Sequence, residues 1–150
     1  MTIVVFLLTI SGNNMNKPKT YNFNEEEDET TLANMAREGV SFYRLTKLSE
    51  YIHLGLQEWA EYLHLSERTM QRYKKEGKTF DPIYSEKIII IEMLYKKGIQ
   101  IFGIKDNFYT WMDTVSIALG GVKPKDMLDT NFGITMVYDE LGRIEHGIFA

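Results

Sequence analysis

Residues 54–78 read Leu54-Gly55-Leu56-Gln57-Glu58-Trp59-Ala60-Glu61-Tyr62-Leu63-His64-Leu65-Ser66-Glu67-Arg68-Thr69-Met70-Gln71-Arg72-Tyr73-Lys74-Lys75-Glu76-Gly77-Lys78, and this stretch decides the fold. Leu56, Trp59, Ala60 and Leu63 recur at spacings of three and four, which puts them on one stripe of a helix. Leu48 and Ile52 continue the pattern upstream, with Gly55 dividing it into two helices. Ser66 and Glu67 ahead of apolar Met70 mark a helix start, and Gly77 after Lys74 and Lys75 marks a stop with cations at the negative end of the dipole. A short basic helix is therefore expected from Ser66 to Glu76. Two short helices joined by a tight turn need a small residue where they cross and apolar residues facing back from the second. Ala60 supplies the first, Trp59 and Leu63 flank it as core, Leu65 lies just past the turn, and Met70 and Tyr73 give the second helix its buried side. The pattern is a helix-turn-helix. His64 stands at the turn position that glycine fills most easily, and a left-handed histidine costs on the order of 1 kcal/mol, which a packed domain absorbs.

The rest of the second helix points outward: Glu67, Arg68, Gln71, Arg72, Lys74 and Lys75. Arginine pairs with guanine and glutamine with adenine in the major groove, while lysine neutralises phosphate. Arg68, Gln71 and Arg72 are the expected base readers, and Ser66, Glu67, Thr69, Lys74 and Lys75 complete the candidate DNA-binding set. The chain carries a formal net charge of −4, so bulk electrostatics do not favour nucleic acid. Between Ser66 and Lys78, however, five basic residues stand against two acidic ones, concentrating positive charge on this helix. Two plainer readings stay open: an ordinary solvated face, and a helix-turn-helix that has lost DNA binding.

With 150 residues, 44% of them hydrophobic, the chain is long enough for one compact domain or two small ones. It contains no cysteine, which rules out a disulfide framework, a thiolate zinc site and a cysteine nucleophile, and suits a reducing cytoplasm. The apolar run from Ile3 is far shorter than the ~20 residues needed to span a bilayer. It also lacks the flanks of a signal peptide, so no membrane association is expected. Translation starting at Met15 and a short buried strand are both open readings of this end. The acidic tract Glu25–Glu29 reads as a solvated arm, and a weak helical pattern from Thr31 stops at Gly39.

Downstream, Asp81 and Pro82 open a long helix whose interior, Ile88 to Leu94, is apolar on nearly every side. It is expected to be buried all round, as a core element or a dimer seam reaching to Lys97. Phe108, Trp111 and Met112 mark a short amphipathic helix. Gly120, Gly121 and Pro124 punctuate turns, and Asp126-Met127-Leu128 forms another short helical turn. A last helix, capped by Asp129 or Thr130, carries Gly133, Val137, Leu141, Ile144 and Ile148 on one stripe, with Asp139, Glu140, Arg143 and His146 facing elsewhere. The fold class is all-α. Its expected parts are an extension over 1–39, partly disordered, a helix-turn-helix region over 40–80, a long helix over 81–103 and a small helical domain over 104–150.

The last third carries a more specific signal. Trp111-Met112, Ala118-Leu119-Gly120-Gly121, Pro124, Asp126-Met127-Leu128-Asp129-Thr130, Gly133, Val137 and Leu141-Gly142-Arg143-Ile144-Glu145-His146-Gly147 occur in order behind Leu65-Ser66-Glu67-Arg68-Thr69-Met70 and Ser85-Glu86-Lys87. The combination resembles the Xre/MbcA/ParS antitoxin family from about Leu54 to Ala150. Val115 stands where that family tends to have proline, and His64 where it tends to have glycine. The resemblance implies a dimeric, mostly helical antitoxin that represses its own operon, while its C-terminal domain covers the active site of an NAD-consuming toxin of the RES or ParT type. Carried over residue by residue, the toxin-facing candidates are Gly142, Arg143, Glu145, His146 and Gly147, with Asp129 and Thr130 capping the helix that presents them. Helix capping also accounts for Asp129 and Thr130, and close helix packing for Gly142 and Gly147.

Nothing in the sequence assembles a catalytic constellation. His53, His64 and His146 match no metal-ligand spacing, and Glu145 and His146 diverge by about 100° on a helix. Gly120-Gly121 lacks the lysine and hydroxyl residue of a phosphate loop. No catalytic residue, metal or cofactor is expected. The alternative function is a stand-alone helix-turn-helix regulator that senses a small ligand among the aromatics from Phe102 to Trp111.

Overall fold

Capping residues set where the helices begin. The computed structural model describes residues 21–147; the apolar run from Ile3, Met15 and Ile148 lie outside the described residues. Along them run α1 (Glu29–Glu38), α2 (Phe42–Ile52), α3 (Leu56–Leu63), α4 (Glu67–Glu76), α5 (Pro82–Phe102), α6 (Lys105–Met112) and α7 (Asn131–Glu145), with two 3-10 turns, Ile117–Leu119 and Pro124–Met127, between the last two. Asp28, Ser41, Ser66 and Thr130 each accept the amide three residues on, fixing the starts of α1, α2, α4 and α7. Among the described residues there is no strand, only isolated bridges pairing Ser41 with Thr79 and Ser116 with Val122. The chain is all-α, as its periodicity indicates.

α5 is the axis on which the other elements pack, touching α1, α2, α6 and α7. Ile88, Ile91 and Leu94 are fully buried along it, and at Gly98 the Phe108 ring of α6 occupies the space a Cβ would need. The expectation that α5 is buried all round is corrected: Ile83 is 81% exposed, and Ile90 and Met93 are also exposed. The helix runs five residues past Lys97, and neighbours on only part of its circumference leave a strip uncovered.

The segment before α1 is tied to this core. The carboxylates of Glu25–Glu29 face solvent, but Phe23 is buried and its ring lies 5.4 Å from that of Tyr51. Arg44 sits 5.2 Å from the Phe23 ring and 5.5 Å from that of Tyr21. Its guanidinium makes a two-pronged ion pair with Glu92, at 2.9 and 3.2 Å, in the interior. Lys96 reaches Glu92 at 3.3 Å and donates to the Glu25 carbonyl at 3.1 Å.

Burial pushes the hydroxyls of Tyr62 and Tyr95 well above the ordinary tyrosine value. The folded chain therefore keeps two protons that the unfolded chain releases above pH ~10, and stability falls as pH rises through that range. Together these groups are expected to make the fold about 3 kcal/mol less stable at pH 11 than at pH 9. Urea unfolding at the two pH values, on the wild type and on Tyr62→Phe, checks this; the variant should lose about half of the dependence.

Candidate nucleic-acid interface and C-terminal domain

α3 and α4 form the helix-turn-helix. Trp59, Ala60, Leu63, Met70 and Tyr73 are buried between them and the rest of the core. His64 is left-handed, at φ 55° and ψ 36°, and the Leu65 amide closes the turn on the Ala60 carbonyl at 3.0 Å. The strain at His64 has a counterpart the sequence does not disclose: its Nε2 donates to the Asp129 carbonyl at 2.6 Å. Lys87 Nζ donates to the same oxygen at 2.6 Å, and Tyr62 to the Lys125 carbonyl at 2.9 Å. The turn between the two helices is thus bonded to the segment that leads into α7.

On α4, Glu67, Arg68, Gln71, Arg72, Lys74 and Lys75 are all exposed, and Gly77 ends the helix in a left-handed turn. Among the described residues, Arg68, Arg72, Lys74 and Lys75 enter no ion pair; Arg72 and Lys78 lie 5.6 and 4.3 Å from the Tyr73 ring. Ser66 and Thr69 differ in role. The Ser66 hydroxyl accepts the Thr69 amide at 3.0 Å and donates to the Thr69 hydroxyl at 2.8 Å, so the pair fixes where α4 starts. One helix therefore presents two arginines, a glutamine and two lysines to solvent, the donor set that groove and phosphate contacts use.

The C-terminal candidates fall into two groups. Thr130 caps α7 while Asp129, expected as an alternative cap, contributes its carbonyl to His64 and Lys87. Arg143, Glu145, His146 and Gly147 are exposed at the other end of the helix, roughly 22 Å away. Glu145 is 3.9 Å from Lys97. Glu140, expected to face outward, is buried, because it sits at the edge of the core stripe, where both Nε and Nη2 of Arg143 reach its Oε2 at 2.6 Å. Close packing does not explain Gly142, where a Cβ would meet nothing nearer than Lys97 Nζ at 3.9 Å. It does explain Gly133, where a Cβ would collide with the Met127 carbonyl. Gly133→Ala is expected to cost about 1–3 kcal/mol through overpacking, read by thermal unfolding, with Gly142→Ala as the near-neutral control.

Sequence reasoning missed Phe132 and Met136, which are exposed on α7; the signal available was their position off the Val137–Leu141 stripe. The aromatics from Phe102 to Trp111 pack on one another. Phe102 lies 5.8 Å from both Phe108 and Trp111, and Phe108 is fully buried. Among the described residues no group of side chains could hold a metal ion, and no helix is long and apolar enough to cross a membrane.

The geometry defines a class: a helix-turn-helix protein with an open cationic second helix, bonded to a second helical unit. A family model described as the antitoxin Xre-like helix-turn-helix domain matches residues 31–89, and one described as the antitoxin Xre/MbcA/ParS C-terminal toxin-binding domain matches residues 97–147. An Antitoxin Xre of Yersinia enterocolitica serotype O:8 is 27% identical over 122 residues, covering 81% of this chain and 82% of that one. An Antitoxin Xre of Photorhabdus laumondii subsp. laumondii is 37% identical over 79 residues, covering 52% and 53%. The chain belongs to the Xre/MbcA/ParS antitoxin family, with a helix-turn-helix domain followed by a toxin-binding domain.

Proposed function

We propose that this chain is the non-enzymatic antitoxin of a two-gene module, acting in the bacterial cytoplasm. Its C-terminal domain holds and silences a RES- or ParT-like toxin that consumes NAD, and α4 binds the operator of the same operon. The observation that carries this reading is the coexistence, in one chain, of a toxin-binding domain and an exposed helix whose cations enter no ion pair among the described residues. Arg68, Gln71 and Arg72 read bases, Lys74 and Lys75 contact phosphate, and Ser66, Glu67 and Thr69 set the start of the helix. Arg143, Glu145, His146 and Gly147 face the toxin, with Asp129 and Thr130 holding the other end of α7. The chain acts as a homodimer, because helix-turn-helix proteins read paired half-sites about one helical turn apart and because Ile83, Ile90 and Met93 leave apolar surface open on α5.

The test is co-expression with the product of the adjacent gene. That product alone should arrest growth, this chain should relieve the arrest, and a tag on either should recover both. Failure to recover a complex, with both proteins soluble, would refute the toxin-holding half of the proposal.

A further inference from the structure

α7 presents two faces of opposite character. Gly133, Ile134, Val137, Glu140 and Leu141 are buried. At about 100° per residue, Phe132, Met136, Asp139 and Arg143 fall on a second stripe, centred about 130° round the helix from the middle of that buried face and bordering it at Glu140. There Phe132 is 86% exposed and Met136 is 44% exposed. A large aromatic ring left in water contributes nothing to the chain's own core.

The helix that carries the stripe is anchored at both ends. Thr130 caps the helix at one end, Gly133 seats it against the Met127 carbonyl, and buried Glu140 grips the Arg143 guanidinium at the other end by Nε and Nη2. An aromatic ring, a thioether and an oriented guanidinium on a preorganised backbone are the side chains enriched at the centres of binding interfaces, and little ordering entropy is left to lose on docking. The stripe lies wholly within the segment that matches the toxin-binding domain, which also holds most of the exposed large hydrophobic residues among those described. The apolar residues open on α5 lie outside that segment.

We infer that the outward stripe of α7, with Phe132 and Met136 as anchors and Arg143 at its end, is the surface on which the toxin docks. The toxin offers an apolar pocket to the Phe132 ring and an acidic or carbonyl acceptor to Arg143. This rests on the antitoxin reading above and moves the centre of the contact from the chain terminus to the length of the helix.

The test uses the full chain and the purified product of the adjacent gene. Phe132→Glu with Met136→Glu keeps good helix formers on exposed positions and is expected to weaken binding at least about 100-fold. Operator binding and the circular dichroism spectrum should be unchanged, and Ile117→Glu, at an exposed site off this helix, should bind like wild type. Wild-type affinity in the double variant overturns the inference. So does loss of binding with Ile117→Glu alone, or a change confined to self-association, which would assign the stripe to a second copy. Absence of binding by the wild type would instead refute the antitoxin reading on which the inference depends. Should the double variant unfold, Phe132→p-benzoylphenylalanine gives a second measurement: a photo-crosslink to the adjacent-gene product supports the docking surface, and its absence at full affinity overturns it.

Discussion

Replacing Arg68 and Arg72 together with alanine is expected to weaken binding to the DNA upstream of this gene by about 30-fold or more, with no loss of fold. Both side chains are exposed and enter no ion pair among the described residues, so their removal leaves no buried charge behind. A bidentate arginine contact discriminates by about 1–3 kcal/mol, and two of them set the expected range. Lys74→Ala should behave differently, weakening specific and non-specific DNA alike and lowering the salt slope by about 1. Fluorescence anisotropy at several fixed salt concentrations separates these outcomes. Unchanged operator affinity in the arginine double variant would mean that α4 is merely a solvated face.

The largest effect on stability is expected at Arg44. The Arg44–Glu92 pair is buried on both sides, at 8% and 3% exposure, and removing Arg44 leaves the Glu92 carboxylate in the interior with only the partly exposed Lys96, at 3.3 Å, to oppose its charge. Arg44→Met should therefore cost about 3–5 kcal/mol. Arg44→Met with Glu92→Leu should recover most of that, since a buried pair is commonly replaced by apolar groups at little cost. Because Arg44 also lies against Tyr21 and Phe23, the single variant should release the segment before α1. Urea unfolding gives the energies, and amide exchange over residues 21–28 reads the release. A cost below about 1 kcal/mol for Arg44→Met would contradict the view that this pair matters to the fold.

The parts of the fold that were legible in the sequence are those governed by neighbours along one element. Ala60 at the crossing, Ser66 as a cap, Gly77 as a stop and the Met70–Tyr73 face follow from helix period and turn chemistry. The bonds between elements are not encoded that way. His64 reaches Asp129 and Arg44 reaches Glu92 across long separations in the chain, and no local spacing announces either. Composition misled at α5, where a nearly continuous apolar run suggested complete burial, although only the packing of α1, α2, α6 and α7 decides which isoleucines are covered. Glu140 was misassigned for a related reason: a carboxylate at the border of a stripe is drawn inward when a neighbouring arginine satisfies it.

Of the candidate surfaces, the face of α4 was readable because polar side chains at helical spacing have one way to point once Met70 and Tyr73 are buried. The C-terminal face was only partly readable. The motif block led to Arg143, Glu145 and His146, whereas Phe132 and Met136 are apolar residues whose place off the Val137–Leu141 stripe was the only sign that they are exposed.

The most direct test of the account is to measure NAD loss by the purified product of the adjacent gene while titrating in this chain. The account predicts that NAD consumption falls in proportion to the added chain and stops when the toxin is saturated. Undiminished NAD loss in the presence of excess folded chain, or a neighbouring product that consumes no NAD, would contradict it.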